Sequence, residues 1–597
     1  MKKTGTIFLK RILVILLSTI IFVACKKTDS GGDGPNPTAP DLVTKVNAPV
    51  VSGFVTDENN LPVINAPVQI GTSAVTTDKY GYFEARNVAV LKNAATVTVT
   101  RTGYFKGIKS FIATEGKSAF FRIKLIPKTI AGTVNAATGG TVVLANGMSV
   151  SLPGNSLINA ATGALYTGAV NVAAYWIDPT SNEMYNIMPG DLRGINTNGN
   201  LQLLTTFGMT AVELSGTSGE LLKIASGKKA SLSLPIPSSI LSAAPSTIPL
   251  WYFDEVYGLW KQEGSATKNA GNYIGDVTHF SFWNVDGATN YVQFSCTILN
   301  STGAPIQNAF VKVSAVSNPQ NAGFGFTDST GFVSGVVPDN SQLNLEIYSD
   351  VLCTTTTYSQ TFNTSNTNLS LGNIVVSNTN SIATVTGNIT TCTNSPVTNG
   401  YILINTDGTY RRYPLSNTGS FSLNMLLCGN TANTVTLIAE DINNLQQSAP
   451  LTYTVNPGSN VVTGLQACGN TIDEFFNYTI DGINYSIPPP PAGYNSYYDN
   501  PAGTIEIYGL DHNNQNVWAK VIFFNSNIGV GTNQGLSHFS SQQCGSSSTF
   551  FNTSNGANIT EFGAVGQYIS GNFSCQILMY PGTLTHDVSG NFRIKRD

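Results

Sequence analysis

Gly53-Phe54-Val55, Leu61-Pro62-Val63 and Ala66-Pro67-Val68, closed by Asp78-Lys79-Tyr80-Gly81-Tyr82-Phe83, form the stretch that decides the fold, because it recurs. A second copy reads Cys296-Thr297-Ile298, Ala304-Pro305-Ile306, Ala309-Phe310-Val311 and Asp328-Ser329-Thr330-Gly331-Phe332. A third reads Gly387-Asn388-Ile389, Ser395-Pro396-Val397, Gly400-Tyr401-Ile402 and Asn417-Thr418-Gly419-Ser420-Phe421, without the Asp at its second turn. In each copy proline presets φ at the entry to a turn, and glycine supplies a positive φ at the next. Alternating Val and Ile fill one face of a sheet. A small residue (Ala66, Ala309 or Gly400) stands four positions after the proline, where two sheets must approach.

These motifs resemble the carboxypeptidase regulatory-like domain, a seven-strand β-sandwich of transthyretin type. The resemblance covers residues 48–127, 290–378 and 382–469, and it implies spacers or binding scaffolds without an active site. Between the first two copies, residues 128–286 change character. Gly139-Gly140-Thr141-Val142-Val143-Leu144, Val150-Ser151-Leu152-Pro153-Gly154-Asn155-Ser156-Leu157, Pro249-Leu250-Trp251-Tyr252-Phe253-Asp254 and Thr278-His279-Phe280-Ser281-Phe282-Trp283-Asn284 stand out there. They resemble the ZU-five β domain of ankyrins and netrin receptors, and more closely its relatives in cartilage intermediate layer protein. In some relatives a His-Phe-Ser tripeptide cleaves its own backbone. That resemblance implies Ser281 as nucleophile on the Phe280 carbonyl and His279 as base. The plain alternative is a half-buried strand, with Phe280 and Phe282 alternating against His279, Ser281 and Trp283. A second copy of the tripeptide, His538-Phe539-Ser540, shows how little specificity three residues carry.

Composition sets the wider frame. At 597 residues the chain holds several domains. Val, Ile, Thr and Tyr recur in short alternating runs broken by Gly, Asn and Pro, so the predicted class is all-β, a tandem of β-sandwich domains. Charged residues are 11% and the net charge is −4, too weak a field for a nucleic-acid partner.

Lys2, Lys3, Lys10 and Arg11 precede an apolar run from Ile12 to Ala24. That run falls short of the ~20 residues of a membrane span and reads as a signal peptide, residues 1–24. Ile21-Phe22-Val23-Ala24-Cys25 resembles a bacterial lipobox, with Phe22 where Leu is usual. The resemblance implies acylation of Cys25, each buried CH₂ contributing ~0.8 kcal/mol of membrane affinity. Residues 25–47 then form a polar, Gly/Pro-rich tether, whose flexible part reaches roughly 25–30 Å. Its start resembles the export tract of Bacteroidetes-type outer-membrane lipoproteins, with two Lys where acids are usual. The expected location is therefore the outer membrane, lipid-anchored, at the cell surface.

Residues 470–597 read as a further β domain, with an Asp481-Gly482 hairpin turn and strands over 504–508 and 518–524. Pro488 to Pro491 is an extended polyproline stretch. Tyr494, Tyr497 and Tyr498 lie nearby as a candidate platform for sugar rings or a partner, the alternative being a loop packed on its own domain. Once Cys25 is acylated, seven cysteines remain, an odd number. Cys544 and Cys575 are the expected disulfide; pairing among Cys296, Cys353, Cys392, Cys428 and Cys468 stays open. The four His (279, 512, 538 and 586) lack metal-ligand spacing, and no metalloprotease, Walker or nucleophile-elbow motif occurs. No cofactor or metal is expected. The chain reads as a non-enzymatic surface lipoprotein, an adhesion, scaffold or ligand-capture stalk. Its partners would be the membrane, through the lipid, and a glycan or surface protein. The alternatives are a glycan-binding accessory protein for polysaccharide uptake and a protein that cuts itself at Phe280–Ser281.

Overall fold

The computed structural model describes residues 40–596, apart from 352, 445 and short stretches between 472 and 584. Cys25, the signal segment and the tether up to residue 39 lie outside the described residues, as do Pro488–Pro491 and Cys544. Strands dominate, and the α-helix among the described residues is a single turn, Met184–Ile187. No helix there is long and apolar enough to cross a membrane.

The repeat folds as the same pair of sheets three times. In the first copy Tyr82–Leu91, Lys45–Thr56 and Ala119–Lys124 form a three-stranded sheet. It faces four strands in the order Ser73–Thr76, Pro67–Ile70, Ala95–Val99 and Gly107–Phe111. The second copy repeats this order with Phe332–Pro338, Tyr291–Asn300 and Leu369–Val376 over Asn318–Phe326, Phe310–Ala315, Gln342–Tyr348 and Tyr358–Asn363. The third does so with Ser420–Leu426, Ile382–Asn388 and Gly458–Val462 over Thr409–Pro414, Gly400–Thr406, Asn433–Asp441 and Leu451–Val455. In each the opening strand runs antiparallel to one neighbour and parallel to the other.

The motif residues explain the sameness. Gly81, Gly331 and Gly419 all adopt φ near +75° (73°, 76° and 75°). A Cβ on them would lie 2.3, 2.4 and 2.4 Å from the carbonyl oxygens of Val55, Ile298 and Ile389, so only glycine fits. Asp78 Oδ1 accepts from the amides of Tyr80 and Tyr82, and Asp328 Oδ1 from those of Thr330 and Phe332. The third copy lacks the Asp, and the Ser416 hydroxyl accepts from Thr418 and Ser420 in its place. Ala66 and Ala309 are buried, and a Cβ on Gly400 would lie 2.0 Å from the Glu440 carbonyl oxygen.

The middle domain is a 13-stranded sheet that closes on itself. Its long strand Leu201–Gly216 pairs with Ala169–Ile177 on one side and with Phe282–Thr289 on the other. One face buries Val170, Val172, Val212, Leu214 and Trp283. The other buries Met209, Ala211, Trp251, Trp260 and Phe282, covered by Phe105, Ile108 and Ile126 of the first sandwich. The half-buried strand expected at 279–283 is corrected accordingly. His279, Phe280 and Ser281 form a bend, and in the strand after it Phe282 and Trp283 are both buried because both faces are covered. The C-terminal domain is a ten-stranded sheet around Phe476, Tyr478, Phe539, Phe573 and Phe592. Asp481 has φ 49°, as its hairpin turn requires.

The units from residue 40 onward do not hang as separate beads, which corrects the stalk expectation. The first sandwich touches each of the others. Ser110 Oγ donates to Gly258 O of the middle domain (2.6 Å), and Phe120 packs edge-on to Phe326 of the second sandwich. Arg122 donates to Tyr410 O of the third sandwich (3.1 Å), and Asn65 bonds Asn477 of the C-terminal domain (3.2 Å).

Candidate functional site: a cleft shared by three domains

A cavity of 180 Å³ opens where the first sandwich, the middle domain and the second sandwich meet. Its walls are largely apolar, with Phe121, Met188, Val313, Phe324 and Phe332 among them. A second groove of 350 Å³ shares Ile112, Lys117, Phe294 and Phe332 with it and adds Gln293, Asn368 and Ser370. Apolar depth and polar rim together are the usual plan of a small-molecule site. Lys117 stands at the junction, its ammonium 4.8 Å from the Phe332 ring centroid.

Lys109 forms part of the deep wall. The strand Gly107–Phe111 turns its side chain inward, where it is 2% exposed. Nζ donates to the carbonyls of Tyr185 and Met188, the latter at 2.9 Å, and lies 5.1 Å from the Tyr185 ring centroid. Burial pushes its pKa down to about 7, against the attraction of Asp191. Asp191 is itself raised by burial and held back by Arg193, which bridges it at 2.7 Å. Lys109 is thus committed to holding the Tyr185–Met188 turn, and Lys117 is the cation that faces the groove.

Beside the cleft lies an arginine cluster that sequence reasoning missed. Arg411 and Arg412 are adjacent on the strand Thr409–Pro414. Arg411 Nη2 donates to Ser349 O (2.8 Å) and bridges Asp350 (3.1 Å) in the second sandwich. Arg412 bridges Glu440 (3.3 Å) and Asp78 of the first sandwich (3.9 Å), and its guanidinium lies over Tyr401 (3.7 Å) and Tyr82 (4.8 Å). Arg122 lies 4.0 Å from Asp350 and over Phe54, Phe120 and Phe326, and burial lowers it to about 10. Three cations and three acids thus hold the three sandwiches together.

The residues expected to carry chemistry are placed as follows. Ser281 Oγ donates to Phe282 O (3.1 Å), and the His279 ring packs against Tyr252 and Trp283, with Nε2 3.8 Å from Glu263. Burial lowers the His279 pKa. The hydroxyl is directed to the carbonyl on its C-terminal side, and no hydrogen bond joins it to the imidazole. Tyr494, Tyr497 and Tyr498 lie on the strand Gly493–Asn500, opposite Leu510, Ile507 and Glu506. Two disulfides left open by the sequence are defined. Cys353–Cys428 joins the second sandwich to the third, and Cys392–Cys468 lies within the third. Cys296 is a buried thiol whose pKa burial pushes up to about 12, and Cys575 is buried on the strand Tyr568–Met579. Among the described residues no three His, Cys, Asp or Glu gather as metal ligands.

No family model matches the sequence. The chain is 27% identical over 162 residues to mouse cartilage intermediate layer protein 2, covering 26% of this chain and 14% of that protein. The chain thus spans about a seventh of that relative's length. The shaft pilin SpaA of Lactobacillus rhamnosus GG superposes at a TM-score of 0.16 and 12% identity, covering 30% of this chain and 99% of the pilin. The Bacillus anthracis TIE protein does so at 0.14 and 11%, covering 57% of this chain and 69% of that one. Both structural similarities are too slight to bear on function.

Proposed function

We propose that the protein is a non-enzymatic, lipid-anchored scaffold of the bacterial cell surface that captures a ligand or partner on a body of interlocked β-sandwiches. The observation that carries this reading is the arginine cluster. Arg122, Arg411 and Arg412 meet Asp78 and Asp350 across the boundaries between the three sandwiches, and Glu440 holds Arg412 from within the third. Charge so used ties the three sandwiches into one platform, and the first and second of them form two of the three walls of the cleft. Acylated Cys25 and the polar tether would attach that platform to the outer membrane. The test is attachment of cells to protein-coated and polysaccharide-coated surfaces, with labelled palmitate followed in parallel. Wild-type cells should bind and carry label on the mature chain. Cys25→Ala should lose both while the protein is still made. Attachment unchanged in Cys25→Ala would end the proposal.

One observation favours the glycan-accessory alternative. A groove of 920 Å³ between the first sandwich and the C-terminal domain is lined by Gln69, Thr98, Thr100, Asn572 and Gln576, with Arg86 and Asp587 also in its wall, polar groups suited to sugar hydroxyls. Binding on a glycan array that disappears in Thr98→Val would place a glycan there. Loss in Tyr497→Ala alone would place it on the tyrosine strand.

A further inference from the structure

The seam that closes the middle domain carries an unusual trio. Thr206 lies opposite Asp286 in the pairing of Leu201–Gly216 with Phe282–Thr289, beside an irregularity between Thr206 and Met209. Asn284 is two residues from Asp286 and therefore on the same face. Thr206 Oγ1 donates to Asn284 Oδ1 at 2.7 Å, and Asn284 Nδ2 donates to Asp286 Oδ2. Asn284 and Asp286 are wholly buried. Asp286 Oδ1 has no hydrogen-bond partner. A buried carboxyl left half-satisfied is costly, and it calls for an explanation. Burial pushes this carboxyl well above the usual carboxylate range.

A hydroxyl, a carboxamide and a carboxylic acid in one contact chain, the last two buried, are the three components of an acyl transfer. The hydroxyl is the nucleophile, the amide the electrophile and the acid the proton carrier. We propose that Thr206 and Asn284 join in an intramolecular ester, with Asp286 as the acid–base group. In this step Thr206 Oγ bonds to Asn284 Cγ and the Cγ–Nδ2 bond breaks. The hydroxyl proton passes to the Asp286 carboxyl as the carboxyl's own proton passes to the departing nitrogen. Ammonia leaves and Asp286 ends as it began. No oxidant, reductant or metal is involved. Prior positioning supplies most of the driving effect, since the groups are held in contact by the sheet. The exclusion of water that protects the product is already present around Asn284. The bond would fasten the pairing of Leu201–Gly216 with Phe282–Thr289, one of two routes by which the sheet closes on itself, the other running through Arg193–Ile195.

The test is the mass of the mature, reduced and alkylated full-length chain, followed by peptide mapping. The expected result is a chain lighter by one ammonia, with the peptides holding residues 206 and 284 recovered as one species that hydroxylamine splits. Thr206→Val should restore the full mass and Thr206→Ser should keep the link. Asp286→Asn should leave the chain unlinked. A full-mass wild-type chain after prolonged incubation would overturn the proposal. So would an ammonia loss that maps to any other pair. Because the wild-type mass decides the matter, a variant that fails to fold does not protect the idea.

Discussion

Lys109 shows how a single side chain couples domain packing to solvent. Its ammonium is almost fully enclosed and bonded to two carbonyls of the middle domain. Its pKa falls from the usual 10.5 to about 7. In the unfolded chain Lys109 keeps its proton up to the ordinary lysine value, whereas in the folded chain it releases the proton near pH 7. Across that window the unfolded state binds more protons, so stability rises with pH, at up to ~1.4 kcal/mol per pH unit. Urea unfolding should therefore show wild type gaining about 2 kcal/mol more between pH 7 and pH 9 than Lys109→Met. Equal gains in the two proteins would show that the ammonium is not desolvated. Cys296 makes the opposite case. Its thiol is pushed up to about 12 by apolar burial alone, so it should resist alkylation in the folded protein and react only on unfolding.

At the scale of elements, the turn glycine is the clearest link from sequence to fold. Gly331 combines φ 76° with a would-be Cβ 2.4 Å from Ile298 O, so Gly331→Ala meets both a backbone and a steric penalty. The second sandwich should lose more than ~1 kcal/mol in that variant, read as a lowered urea midpoint. Gly335 is a fair control, because a Cβ there would meet nothing within 4 Å. The repeat was legible because such turns are local: proline, small residue and glycine lie within 30 residues and each answers one backbone need. Ser416 shows the limit of reading residue types, since a hydroxyl does there what a carboxylate does in the other two copies. The arginine cluster and the Thr206–Asn284–Asp286 trio were not legible. Arg122 meets Tyr410 across 288 positions and Thr206 meets Asn284 across 78, and no spacing rule connects such pairs. Likewise the Cys353–Cys428 bond crosses a domain boundary, and nothing in cysteine counting points to it. Closing a loop 75 residues long constrains the unfolded chain by about 4 kcal/mol in the entropic account. Cys353→Ser should lower stability toward that extent, and it should also free the second sandwich to move against the third.

For the whole molecule the decisive question is whether the sandwiches act as one body. If the first sandwich were only a spacer, its surface would carry solvated charge. Instead Asp78, Tyr82 and Arg122 face the third sandwich, Lys109 and Ser110 face the middle domain, and Phe120 faces the second sandwich. Arg412 is the contact on which most depends. It balances Glu440, whose side chain is only 4% exposed, and reaches Asp78 across the domain boundary. Arg412→Met keeps the stem and removes the charge, leaving Glu440 buried without its cation. Breaking a buried pair from one side costs about 3–5 kcal/mol. Hydrogen exchange of the full chain should then show faster exchange in Thr409–Pro414 and in the Asp78–Tyr82 turn. The closed sheet of the middle domain should stay as slow as in wild type, because its own cores do not involve Arg412. Faster exchange confined to the third sandwich would mean that the first is held by other contacts. Unchanged exchange throughout would mean that the domains move independently, and a capture site built from three of them could not keep its shape.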